Sequence, residues 1–192
     1  MNAAARLFHA IQDEPKDDLR QPNHTWLAHI IAAQRAGLTC LPRQLGLSDS
    51  SYDSLINSPF VDQAVEYAPA DDWSAVREEL LDLRRDEWLE LSRLLLDGRR
   101  GREQEEVWLA EIVAAGCLGG NHLWRDLGLT SRLQLRELLT HNFPRLAMCN
   151  VQDMRWKKFF YKQLCEQNGG YVCRSPSCGI CPTYDECYGE ES

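Results

Sequence analysis

The chain reads as an all-α protein: a helical bundle built from two related helical halves, followed by a C-terminal cysteine-rich metal-cluster loop. Three features predict this. Apolar residues recur at the three- and four-residue spacing of one helix face. Pro, Gly and capping residues punctuate the apolar runs where helices should start and stop. Period-two alternation with β-branched residues, the mark of a half-buried strand, is nearly absent.

Residues 3–12 form a short amphipathic segment that ends before Pro15. Asn23 to Thr25 offer capping residues before an apolar helix from Trp26 to Ala33, which Gly37 closes. A turn from Pro42 to Leu45 ends at Gly46, and Ser48 or Asp49 caps a helix through Tyr52, Leu55 and Ile56, stopped by Pro59. A helical stretch from Val61 to Tyr67 runs to Pro69. Asp71 and Asp72 then cap one long helix whose inward face should hold Trp73, Val76, Leu80, Leu83, Leu91 and Leu94. It ends at Gly98–Arg102, which reads as an exposed hinge.

The next stretch repeats the first helix. The pattern Trp-Leu-Ala-x-Ile-x-Ala-Ala from Trp26 to Ala33 returns from Trp108 to Ala115, displaced by 82 residues. The same offset carries Gly37 onto Gly119, Leu41 onto Leu123, Arg43 onto Arg125, and Leu45 to Leu47 onto Leu127 to Leu129. Two copies are too few for a solenoid, so they read as two halves of one bundle about a pseudo-twofold axis. One domain over 1–192 is expected: a first half over 21–68, a long connecting helix and linker over 69–102, a second half over 103–145, and a basic helix with the cysteine loop over 146–192. The matching Trp, Leu, Ile and Ala residues are core positions. The copies differ where His122 replaces Cys40 and Cys117 replaces Arg35. His122 and Cys117 are candidate extra metal ligands, against the simpler reading of a helix-start histidine and a packed thiol. Cys149 and Cys165 read as packed thiols.

A formal charge of −8 excludes a protein that coats nucleic acid, and no apolar run approaches the ~18 residues of a membrane span. The N-terminus has no signal-peptide core, and Asp13 and Glu14 arrive too early for one. A cytoplasmic protein with reduced thiols is expected. Against this acidic background, residues 154–174 carry five Arg or Lys and one acidic residue. Trp156, Phe159, Phe160 and Leu164 are helically spaced there and should bury, leaving Lys158 and Lys162 on a wet face.

Cys173, Cys178, Cys181 and Cys187 follow, spaced C-x4-C-x2-C-x5-C with Pro176, Gly179 and Pro182 between them. A chain forced to turn with thiols at this spacing suits a thiolate-ligated metal. Eight cysteines in 192 residues are too sparse for a disulfide scaffold. Structural zinc usually joins two short cysteine pairs, and only one C-x2-C step is present here. Closely spaced cysteines with Pro after a ligand, as Pro182 follows Cys181, favour an iron–sulfur cluster over zinc.

The run Asn121 to Leu129, the helix Met154 to Cys165 and the four-cysteine motif ending in Gly189 and Glu190 together resemble the NifQ family. The resemblance is close over these blocks and loose over the N-terminal half. It implies an iron–sulfur protein, not an enzyme, that binds molybdenum as a molybdenum–iron–sulfur cluster and donates it for nitrogenase iron–molybdenum cofactor assembly. The implied partners are the cofactor-assembly scaffold protein, the nitrogenase iron protein and a source of molybdate or of molybdenum–sulfur units. The implied ligands are Cys173, Cys178, Cys181 and Cys187, with molybdenum at one corner of the cluster. Since only five residues follow Cys187, a partly exposed loop is expected, with Arg155 to Lys162 as the docking face. Two other classes compete: a zinc-stapled interaction module, and an iron–sulfur DNA glycosylase. The second lacks the Gly-rich hairpin and basic face that it requires.

Overall fold

The computed structural model describes residues 21–61, 73–167 and 184–189, and all regular structure among them is helical. The expected segment 3–12, most of the stretch from Val61 to Tyr67 and the Asp71–Asp72 cap lie outside the described residues. Helix α1 spans Pro22–Arg35. It begins earlier than the capping pattern suggested, because Pro22 fits the first helical turn, where no N–H is needed. The expected cap residue Asn23 is therefore buried inside it. Gly37, at φ +74°, reverses the chain in the left-handed conformation that glycine tolerates. Helix α2 (Asp49–Ile56) starts as predicted, with the Ser48 hydroxyl accepting a hydrogen bond from Ser51 N at 3.3 Å.

The expected long helix is two, α3 (Trp73–Leu83) and α4 (Arg85–Gly98), broken at Arg84. Its expected inward face holds at Leu91 and Leu94, which are buried, and is displaced over α3. Val76, Leu80 and Leu83 face solvent, Leu83 at 75% exposure. The half-buried face instead carries Arg77, Leu81, Arg84 and Trp88, one position further along the wheel. Arg84 accounts for the shift. Its guanidinium donates to both Glu87 carboxylate oxygens at 2.7 Å and to Leu118 O at 2.8 Å, anchoring that face to the bundle. Tyr161 O–H also donates to Glu87, tying the break to the basic helix.

Helix α5 (Glu105–Cys117) is the axis of the bundle, with α4 alongside it. Ten of its thirteen residues are buried, so it is apolar almost all round, as a central helix must be. The 99–102 link before it is exposed but pinned, unlike the hinge expected there. The fully buried Glu106 carboxylate accepts from the N–H groups of Gly101, Arg102 at 2.9 Å and Glu103 at 3.1 Å.

Short α6 (Leu123–Asp126) leads to α7 (Arg132–Asn142), which Ser131 caps, and to α8 (Pro144–Ala147). The basic helix α9 (Trp156–Gln167) buries Trp156, Phe159, Phe160 and Leu164 against the core and leaves Lys158 and Lys162 exposed, as its spacing predicts. Its three aromatic rings pack with centroids 5.8 Å apart, each pair tilted or edge-on. A short α10 (Tyr184–Tyr188) follows.

The repeated residues occupy matching depths. Trp26 and Trp108, Ile30 and Ile112, Leu41 and Leu123, and Leu45 and Leu127 are all buried. Their contacts are reciprocal. A Cβ added at Gly46 would lie 2.8 Å from Ala115 Cβ, and one added at Gly128 would strike Ala33 Cβ. Each glycine thus packs on the alanine two residues before the end of the other copy's helix.

Candidate metal centre

Helix α9 sets the position of one predicted ligand. Arg155 opens the helix, its carbonyl accepting from Phe159 N at 2.9 Å, while its own N–H donates to Cys187 O at 2.7 Å. Arg155 Nε donates to Gly189 O at 3.3 Å, and Tyr188 O–H donates to Gln152 Oε1 at 2.8 Å. The Tyr184 and Tyr188 rings stack at 4.7 Å along α10. These contacts hold Cys187 on the body, half-buried against the apolar core. The sequence reading expected little cover for it from the residues that follow. Its cover comes from the body instead. Cys173, Cys178 and Cys181 lie outside the described residues.

The candidate extra ligands sit elsewhere. Cys117 is buried at the end of α5, and burial pushes its thiol up to about 12. A thiol so placed stays protonated at neutral pH in the metal-free protein. His122 is the half-buried residue that precedes α6. Cys149 is exposed and not the packed thiol expected, and Cys165 is half-buried. Among the described residues, no three His, Cys, Asp or Glu side chains gather as a metal-holding group.

A buried ion pair, which the sequence reading missed, lies between α9 and α6. Asp126 is 1% exposed and pairs with Lys157 Nζ, itself 17% exposed. Lys157 also donates to Gly119 O at 2.8 Å. Asn121 completes the carboxylate's shell, donating its backbone N–H at 3.0 Å and its amide at 3.1 Å. Cys40 lies alongside, its thiol raised to about 12 by burial and by the neighbouring Asp126 carboxylate. A side chain at Gly119 would collide with both Asp126 and Cys40 Sγ. Charge pattern alone could not reveal a pair 31 residues apart. The repeat holds the one available signal, since Gln44 stands where the second copy has Asp126.

The NifQ family profile matches residues 26–189, a span that takes in all four cysteines of the motif. The chain is 60% identical over 174 residues to a protein named NifQ from Azotobacter vinelandii, covering 88% of this chain and 89% of that one. It is 34% identical over 186 residues to NifQ from Klebsiella pneumoniae, covering 87% of this chain and 99% of that one. A NifQ homolog from Sinorhizobium fredii is 46% identical over 96 residues, 50% of this chain and 42% of the relative. No solved structure matches. Family match and full-length relatives agree: this chain belongs to the NifQ family.

Proposed function

We propose that the chain carries molybdenum on an iron–sulfur centre held by Cys173, Cys178, Cys181 and Cys187, and donates the metal for nitrogenase iron–molybdenum cofactor assembly. The observation that carries this reading is the family match through residues 26–189, which includes the whole cysteine motif. The seating of Cys187 is consistent with it. The donor set is four soft thiols, the chemistry that iron–sulfur centres require. One of them already has a fixed backbone, so part of the ordering cost of ligation is met before any metal arrives.

The body would act as a platform and not as an enzyme. Lys158 and Lys162 are exposed on α9, and Lys162 forms only a loose pair with Glu166 at 3.8 Å. That face suits an acidic surface on the assembly scaffold or on the nitrogenase iron protein. The two repeated stretches would be halves of one bundle about a pseudo-twofold axis, a reading supported by the reciprocal Gly46–Ala115 and Gly128–Ala33 contacts. Among the described residues no helix is long and apolar enough to cross a membrane. A cytoplasmic setting, where thiols stay reduced, fits the proposed chemistry.

The test is metal and acid-labile sulfide analysis of anaerobically purified protein, before and after exposure to molybdate. Iron and sulfide with substoichiometric molybdenum, all lost in Cys178→Ser, is the expected result. About one zinc per chain without sulfide would replace the cluster by a structural knuckle. A molybdenum-loaded protein that keeps its metal when given apo-scaffold under reducing conditions would refute the donor role.

A further inference from the structure

Arg155 reaches α10 and the residue after it by two bonds. Its main-chain N–H donates to Cys187 O at 2.7 Å, and its side-chain Nε donates to Gly189 O at 3.3 Å. We propose that the Arg155 side chain is a positioning residue for metal ligation at Cys187, acting through its bond to Gly189. This deepens the metal-centre reading above and rests on it, because Cys187 matters here as a ligand. What counts is a donor at the ε position, and not the charge of the guanidinium.

A single bond to the Cys187 carbonyl would leave that peptide free to pivot. A second bond two residues later, from the same donor residue, removes the pivot. Tyr188 O–H, donating to Gln152 Oε1 at 2.8 Å, adds a third point. Each of residues 187–189 is thus tied to the stretch 152–155. That stretch is itself held. Arg155 O accepts the first bond of α9, from Phe159 N at 2.9 Å, and Trp156 beside it is buried. A ligand gains affinity when the groups that orient it are themselves locked, and residues in that role commonly carry about ten- to hundred-fold in metal affinity.

Gly189 is shaped for this contact. A Cβ there would stand 2.5 Å from Asp185 O and 3.3 Å from the Arg155 guanidinium. Without one, Gly189 N–H closes on Asp185 O at 3.0 Å while its carbonyl accepts from Arg155. Arg155 and Gly189 are therefore a matched pair. Arg155 is also half-buried, unlike the exposed Lys158 and Lys162. The sequence groups the three on one docking face, whereas the fold ties Arg155 to the Cys187 turn. Lysine is a poor replacement there, since its nitrogen lies one bond beyond the ε position.

The test is titration of the metal-free full chain with cobalt(II), whose absorption reports thiolate ligation and ligand geometry. Arg155→Met keeps the stem, loses the ε donor and should bind cobalt(II) about ten- to hundred-fold more weakly. Its saturated spectrum should also shift, because a displaced thiolate alters the ligand field. Arg155→Gln restores an uncharged N–H donor at the ε position and should recover most of the affinity, whereas Arg155→Lys should not. Gly189→Ala should imitate Arg155→Met, and the two together should lose no more than the larger single loss. Gly189→Ala also carries the test if Arg155→Met fails to fold. The exposed control Arg93→Gln on α4 should match the parent. Parent affinity and spectrum in Arg155→Met would overturn the proposal. Rescue by Lys in place of Gln would overturn it too, by making charge the cause. So would weaker binding with an unchanged saturated spectrum, which would leave Arg155 a merely structural residue. A parent chain that binds no cobalt(II) would instead overturn the metal-centre reading, and the role of Arg155 with it.

Discussion

Removing the Lys157 charge should strongly destabilise this protein. In Lys157→Met the side chain keeps its length and its apolar stem but no longer neutralises Asp126, which is 1% exposed. A buried charge that loses its partner typically costs 3–5 kcal/mol, and the two hydrogen bonds from Asn121 stay in place. The lower end applies, about 3 kcal/mol. With a urea dependence of about 2 kcal/mol per molar, the unfolding midpoint of the metal-free chain should fall by roughly 1.5 M. Far-ultraviolet circular dichroism of this all-helical fold reads the transition directly. The double variant Lys157→Met/Asp126→Asn removes both charges and should recover to within about 1 kcal/mol of the parent, because a neutral amide tolerates burial that a lone carboxylate does not. A midpoint change below about 0.3 M in the single variant, or a double variant no more stable than the single, would refute the account.

Gly37→Ala should cost about 1 kcal/mol, since φ +74° strains an alanine while nothing lies within 4 Å of its Cβ. Gly128→Ala adds a collision with Ala33 to the same backbone strain and should cost at least about 2 kcal/mol more in the same urea assay. Alkaline stability should fall as pH rises from 9.0 towards about 12. The unfolded Cys117 thiol releases its proton at the lower value and the folded one at the higher, so stability is whole below the first and lost between them. Cys117→Ala should flatten that limb of the profile, and an unchanged slope would remove the buried thiol as its cause. Tyr188→Phe deletes the 2.8 Å bond to Gln152 and should speed chelator release of bound iron two- to ten-fold, the effect of about 0.5–1.5 kcal/mol. Lys158→Glu with Lys162→Glu should weaken transfer to the scaffold and leave the unfolding midpoint nearly unchanged, and undiminished transfer would exclude that face.

Helices were legible where burial and period agree. Trp156, Phe159, Phe160 and Leu164 fall on one stripe, and nothing polar competes for that face. On α3 two stripes compete. The apolar one, Val76, Leu80 and Leu83, loses to the adjacent one because Arg84 finds three partners inside the bundle: Glu87, Leu118 O and Tyr161. Hydrophobic period weighs side chains one at a time and cannot register hydrogen bonds made across the fold. The same limit hid Glu106. A carboxylate early in a helix looks like an ordinary favourable charge, yet here it gathers three backbone N–H groups and turns a Gly-rich link into a pinned one. The cysteine motif points to a thiolate centre by spacing alone, and three of its four cysteines lie outside the described residues. The seat of Cys187 was not legible, because it depends on a backbone bond to Arg155, 32 positions earlier in a chain whose register only the fold sets.

The metal-carrier role proposed above asks the chain both to hold its cargo and to give it up. Holding favours ligands whose positions are fixed before the metal arrives, since ordering a flexible ligand set subtracts from affinity. Cys187 meets that demand: its carbonyl is bonded to the first turn of α9, which is in turn fixed by the aromatic cluster beneath and by the Asp126–Lys157 pair beside it. Release needs a route for exchange, and Cys187 is half-buried and not enclosed. The first turn of α9 is therefore the element through which stability and retention of the proposed metal centre should be coupled. Lys157→Met then has a second expected consequence beyond lower stability. Loss of the brace at Asp126 should hasten iron release as well, whereas Tyr188→Phe, on the Cys187 side, should hasten iron release and leave the unfolding midpoint nearly unchanged. Equal effects of the two variants on the unfolding midpoint would show that α9 does not separate the two roles.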